Sequence, residues 1–322
     1  MGVTPLFSGG VALYTISFAK KQKDAVSNTN TGLAAQMKNQ HSNQLLLLTL
    51  ATLLISTSGT LGKFIDLPTP VIIWCRSALG ALFLYVFCRY KKLSIKINSR
   101  TDIPTILLSA LLLGTHWVTY FYALKLSNVA IGMLSMFTFP VITALLEPLF
   151  SKSKLNPIHI VLALMVLLGI YILAPDFNFE STYLKGILFG VFSALCYALR
   201  NLILKRHVHQ YNGTVLMMQQ ALIVSIFLLP VMFTMDITNM QTQIPYLIIL
   251  GLVTTAIGHS LFIASFKHFS VSTASIIGSV QPIFGIIIAI IFLNEIPTLN
   301  TFFGGSLIIA TVVIESIRSR KT

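Results

Sequence analysis

His116, Trp117 and Tyr120 stand in one apolar stretch, and His116 and Tyr120, four residues apart, share a helix face. A histidine in such a place has two readings. Its imidazole binds a ligand or carries a proton near neutral pH, or it is a neutral ring hydrogen-bonded to a neighbouring helix. Both readings are open for His116 and for His259, which lies in a later apolar stretch. Gln281, next to Pro282, carries an amide that favours a wet cavity or a polar neighbour. Tyr197 and Asn201 share a further face. Arg200 between them snorkels toward Lys205 and Arg206, or joins that patch. Arg76 offers a fork for a carboxylate or phosphate, or else snorkels or pairs with Asp66. This chemistry is recognition: aromatic walls, with His and Gln fixing the orientation of a small molecule. The expected contact residues are His116, Trp117, Tyr120, Tyr197, His259 and Gln281.

Bond-breaking chemistry has few groups to work with. Within the apolar stretches the only carboxylates are Glu147 and Glu315, both near stretch ends, so an enzyme is not expected. Cys75, Cys88 and Cys196 lie inside apolar runs without zinc-ligand spacing, and no His/Cys/carboxylate cluster argues for a metal. No phosphate-binding GxxxxGK[ST] motif occurs, and no cofactor is expected.

The elements that hold these residues follow from composition. Of 322 residues, 55% are hydrophobic and 10% charged, and the mean hydropathy is +0.83. A soluble domain carries about 25% charged residues. The class is therefore an all-α polytopic membrane protein, with the lipid bilayer as its surroundings. The net charge of +13 reads as topology and excludes a nucleic-acid partner, because the basic residues sit in short loops between apolar stretches.

Ten apolar segments have spanning length: 45–65, 70–90, 103–124, 127–150, 156–174, 184–206, 213–235, 244–267, 270–293 and 297–316. Residues 1–43 differ. Val3–Ala19 is moderately apolar but broken by Pro5 and the Gly9-Gly10 pair, and no positive charge precedes it as in a signal peptide. The expectation is an N-terminal extension, cytoplasmic and poorly ordered, with Met37 as a natural start; the alternative is a short eleventh span. With the N-terminus inside, Arg89, Lys91, Lys92, Lys96, Arg100, Lys152, Lys154, Lys205, Arg206, Lys267 and the Arg318–Lys321 tail all fall on the cytoplasmic side. The other side keeps only Lys63, Lys125 and Lys185, so both termini are expected in the cytoplasm of a multi-pass cytoplasmic-membrane protein.

A shift of 142 residues lays the first five segments over the last five. Lys63 falls on Lys205, Lys125 on Lys267, Val129 on Val271, Pro140 on Pro282 and Phe150 on Phe292. Five spans is an odd number, so the halves, 44–175 and 183–317, run in opposite directions across the membrane. Pro140 and Pro282 each free a backbone carbonyl in mid-span. They read as helix bends facing a central pathway, or as packing kinks.

From Ser270 the chain reads SVSTASIIGSVQPIFGIIIAIIFLNEIPTLNTFFGGSLIIATVVI, and from Asn128 NVAIGMLSMFTFPVITALLEPLF. The small-residue entry, mid-span Pro, apolar run and Leu-x-Glu resemble the EamA-type drug/metabolite transporter superfamily. Trp74-Cys75-Arg76 resembles that family's aromatic-x-Arg position. The resemblance covers residues 44–316. It implies ten transmembrane helices as two inverted five-helix repeats, a central cavity, and export or exchange of a small metabolite; the recognition groups above suit an amphipathic one such as an amino acid. The first half departs from the pattern: Glu147 precedes Pro148, and Ser153 stands where the second half has Glu295. Glu295 is therefore expected to be an anchor rather than one of a coupling pair. Coupling to protons would rest on His116 and His259. Two other readings are a membrane-embedded protein without transport activity, such as an enzyme or assembly partner, and a passive channel. The poverty of intramembrane carboxylates and the lack of a repeated charge ring weigh against them.

Overall fold

The computed structural model describes residues 42–319, apart from Asn98, 152–155, 174–177, 179, 206, 209, 270 and 279. The expected N-terminal extension lies outside the described residues except for its last two, which are helical. The chain divides between Leu46 and Leu47, and the fold that follows is that of the larger unit.

The described secondary structure is helical, without a strand. In order, the helices are α1 (Ser42–Phe64), α2 (Thr69–Tyr90), α3 (Ile103–Leu126), α4 (Val129–Met136), α5 (Phe139–Ser151), α6 (Pro157–Leu173) and α7 (Thr182–Lys205). There follow α8 (Gly213–Leu228), α9 (Val231–Thr234), α10 (Met240–Ile249), α11 (Ser260–Ser265), α12 (Val271–Gly278), α13 (Gln281–Leu293) and α14 (Leu299–Ser319). Between α10 and α11 the coil widens to a π-helix over Leu250–His259. Among the described residues, seven helical stretches are long and apolar enough to cross a membrane, two of them (Val129–Phe150 and Gly213–Thr234) interrupted by a turn, and Pro157–Leu173, Gln281–Leu293 and Leu299–Ile314 are shorter apolar helices.

The broken spans follow from proline. Pro140 has no N–H for the carbonyl four residues back, so the helix ends at Met136, turns through Phe137 and Thr138, and restarts at Phe139. Pro282 sits likewise in the first turn of α13, where a missing donor costs nothing. Asn128 caps α4, accepting from the Ile131 N–H at 2.8 Å, and Asn212 caps α8, accepting from the Thr214 N–H at 2.9 Å. Glu295 Oε2 accepts the Val129 N–H at 2.7 Å, so the second half of the chain anchors the start of α4 in the first.

The packing respects the 142-residue offset. The equivalent helices α2 and α8 pack on each other, and so do the equivalent pair α6 and α14. The contact of α4 with α13 has its counterpart in that of α5 with α12. Helices α3 and α7 also pack along each other. Outward faces stay apolar: Leu164 and Leu167 on α6, Phe227 on α8 and Ile291 on α13 are exposed, as befits a surface solvated by hydrocarbon.

Candidate functional site

One small cavity gathers Ile55, Ser58, Arg76, His116, Trp117, Tyr120, Met136, Tyr197, His259 and Gln281. All six residues singled out for contact, scattered over 166 positions of the chain, therefore share one site. They come from α3, α7, the π-helical stretch and α13, with α1, α2 and α4 completing the walls. Every lining residue is buried, and the free volume is about 10 Å³, room for one water at most.

On α3, the His116 ring stacks on Tyr197 at 4.4 Å between centroids and lies parallel to Tyr120 at 6.1 Å. Ser193 of α7 locks it. The Ser193 hydroxyl donates to the His116 carbonyl at 2.9 Å, which uses its one proton. The same oxygen, 2.8 Å from His116 Nδ1, must then accept, so Nδ1 carries hydrogen and Nε2 is the remaining ring nitrogen. Tyr197 is held in turn by an edge contact with Phe139 at 4.9 Å. Trp117 meets His259 edge-on at 5.6 Å, and Arg76 lies over the Trp117 ring at 4.2 Å.

The π-helical stretch aims two of these groups. Thr254 and Thr255 both donate to the Leu250 carbonyl, at 2.6 and 3.3 Å. Thr255 Oγ1 then accepts from Arg76 Nε at 2.7 Å. Single π turns inside α-helices recur at functional sites; here a run of ten residues presents His259 to the cavity and Thr255 to Arg76.

The structure closes some of the alternatives open for the two arginines. Arg76 neither snorkels nor pairs with Asp66: it is 1% exposed on the Trp117 ring, while Asp66 Oδ2 accepts from Asn239. Arg200 does not snorkel either. It is fully buried and donates to Asn201 Oδ1 at 2.9 Å and to Gln220 Oε1, while Gln220 Nε2 donates to Ser109 at 2.7 Å. Both arginines find their partners within the helix bundle: Trp117 and Thr255 for Arg76, Asn201 and Gln220 for Arg200. Gln219, the neighbour of Gln220, points elsewhere and donates to the Ile95 carbonyl at 3.0 Å.

Sequence reasoning did not find Ser193 or Thr255, because Ser and Thr in apolar helices usually bond their own backbone and carry no distinguishing pattern. Met136 and Ile55 are apolar wall and give no chemical signal. Among the described residues no group of His, Cys, Asp and Glu is arranged to hold a metal ion. The roomier grooves, about 630 Å³ between α4, α13 and α14 and about 440 Å³ among α2, α9 and α10, are lined almost wholly by apolar side chains.

Comparison with known proteins agrees with this architecture. The chain is 26% identical over 281 residues to the pseudopaline exporter CntI of Pseudomonas aeruginosa, in each of two strains, covering 86% of this chain and 96% of the relative. A solved crystal structure shares the fold with a TM-score of 0.64 at 17% identity, covering 86% of this chain and 99% of that one. The model of the EamA-like transporter family matches twice, at residues 43–174 and 184–317. The chain is a multi-pass membrane protein and belongs to the EamA-like transporter family.

Proposed function

We propose that this chain is a secondary transporter that exports or exchanges a small metabolite, an amino acid or a compound of similar size, across the cytoplasmic membrane. One observation carries the reading: a buried cluster of His, Tyr, Trp, Arg and Gln is built by both matched halves together. Polar groups in hydrocarbon are costly and mark pathways. The relatives are named as exporters, which favours the outward direction.

In this reading the seven long stretches and three shorter apolar helices make ten crossings, as two inverted repeats at 44–175 and 183–317 behind an extension at 1–43. The seventeen residues of α6 reach about 26 Å, close to the thickness of the hydrocarbon core. The repeats rock about the cavity and open it alternately to each side. Both termini lie in the cytoplasm, by the distribution of basic loops. His116, Trp117, Tyr120, Tyr197, His259 and Gln281 contact the substrate, and the breaks beside Pro140 and Pro282 give the halves their hinges. Protons drive the cycle through His116 and His259, whose surroundings include Arg76, Arg200, Tyr120 and Tyr197.

The test is uptake of radiolabelled amino acids and related metabolites into liposomes holding the purified chain. Saturable uptake lost in His116→Ala or Gln281→Ala is expected. Uptake of no compound by folded protein overturns the reading.

A further inference from the structure

Two full positive charges lie in the protein core, and no carboxylate among the described residues is buried with them. Asp66, Asp102, Glu147, Glu180, Asp236 and Glu295 are all at least partly exposed. Burying an ion without a partner carries one of the largest penalties in a protein interior, so each arginine needs an account.

Arg200 has one. Its Nη1 and Nη2 both donate to side-chain amides, of Asn201 and Gln220, and Gln220 is fixed by Ser109. Arg76 differs. Its Nε is used on Thr255 at 2.7 Å, and its plane rests on Trp117. Its Nη1 and Nη2 are buried with no hydrogen-bond partner. These two atoms form the edge of the guanidinium fork whose spacing matches the two oxygens of a carboxylate. The group lines the cavity, where Trp117 Nε1 and His259 Nδ1 are also buried donors or acceptors without a partner. Arg200, 6.0 Å from the Tyr197 ring, adds a second positive charge behind that wall.

We propose that Arg76, seated on the Trp117 ring, takes a carboxylate of the transported compound through Nη1 and Nη2. The carrier then selects organic acids and zwitterions over neutral or purely cationic analogues of the same shape. Transport of the bound compound rests on the function proposed above; the binding does not. Thr255 and Trp117 act as positioning residues, holding the guanidinium by Nε and by its face so that the fork points into the cavity.

The chain has two tryptophans, so Trp74→Phe leaves Trp117 as the sole reporter, directly beneath the guanidinium. The full chain in detergent is titrated with acetate, succinate, glutamate and phenylalanine, with the matched amides and amines, and with inorganic phosphate. A saturable change in Trp117 fluorescence with at least one carboxylate is expected, at least tenfold weaker for its amide. Arg76→Gln is expected to raise the half-saturating concentration at least tenfold, and Arg76→Lys, which keeps the charge but not the fork, by less. The comparison of acid with amide needs no change at Arg76, so it stands even where that variant does not fold. Amides or amines binding as well as acids, no response to any carboxylate, a response to phosphate alone, or acid binding unchanged in Arg76→Gln each overturn the proposal. Uptake into liposomes separates the two readings. Acids that bind but do not enter vesicles count against transport and leave the carboxylate site standing. Amides that enter as fast as acids leave the transporter standing and remove the site.

Discussion

Lys205 repeats, 142 residues along, the bonds made by Lys63. Lys63 Nζ donates to the carbonyls of Leu124 and Ser127 at 2.9 and 2.8 Å. Lys205 Nζ donates to those of Phe266 and Phe269, both at 2.8 Å. Each acceptor is displaced by the same offset as its donor. A helix end leaves carbonyls without intrahelical partners and carries partial negative charge, so an ammonium there satisfies both needs.

Replacing either lysine by methionine keeps the apolar stem and removes the donor. Lys63→Met and Lys205→Met are each expected to destabilise the fold by about 1–3 kcal/mol. The two clusters share no partner, so the losses should add in the double variant. Unfolding by denaturant in detergent measures this; a double variant no worse than either single one would show that the clusters are not independent.

The buried Arg200 network should behave asymmetrically. Gln220→Leu removes the acceptor of one guanidinium nitrogen and is expected to cost about 2–3 kcal/mol. Replacing Arg200 by Leu as well removes the stranded ion and should recover part of that loss. Unfolding midpoints of the single and double variants decide it.

Helix α6 meets α14 through glycine. A methyl on Gly304 would sit 2.7 Å from the Gly169 carbonyl oxygen and 3.0 Å from the Leu173 nitrogen, both backbone atoms that cannot swing aside. Gly304→Ala should therefore destabilise by about 1–3 kcal/mol. Gly278→Ala, whose new methyl would lie 3.5 Å from the Phe262 ring, is the control and should stay within about 0.5 kcal/mol. Thermal unfolding of the two variants side by side is the measurement.

Ser193→Ala removes the hydroxyl 2.8 Å from His116 Nδ1 and leaves only the carbonyl of residue 193, at 3.3 Å, to hold the ring, without touching the cavity lining. The weaker hold on the ring is expected to lower uptake efficiency about tenfold, about 1.4 kcal/mol, with the folded fraction unchanged. An unaltered uptake curve would mean that the orientation of His116 is immaterial to the cycle.

Proton coupling has its own test. Uptake by the wild-type chain should change when a pH gradient across the liposome is collapsed, and His116→Gln or His259→Gln should lose that response. A response unchanged in both variants assigns the coupling elsewhere.

The placement of the polar residues was legible because hydrocarbon makes them expensive: His116, Tyr197, His259 and Gln281 each stood out against an apolar background, and all four face one cavity. The breaks before Pro140 and Pro282 were legible for a similar reason, since a missing N–H leaves a mark in the sequence itself. The environment of Arg76 was not legible. Its partners Thr255 and Trp117 lie on other helices, and nothing in a single chain of letters brings 76 beside 255. The π-helical stretch was hidden too, because Leu250–His259 has the composition of an ordinary apolar helix. Within it the Leu250 carbonyl takes both threonine hydroxyls.

The dryness of the cavity has an electrical side. A membrane that stores a voltage is a charged capacitor, and any continuous thread of water through it is a short circuit. Ten buried side chains with space for a single water between them interrupt such a thread. Arg76 adds a fixed positive charge at that interruption, an electrostatic barrier that small inorganic cations would have to climb. In this shape the residues around the cavity are part of the insulation.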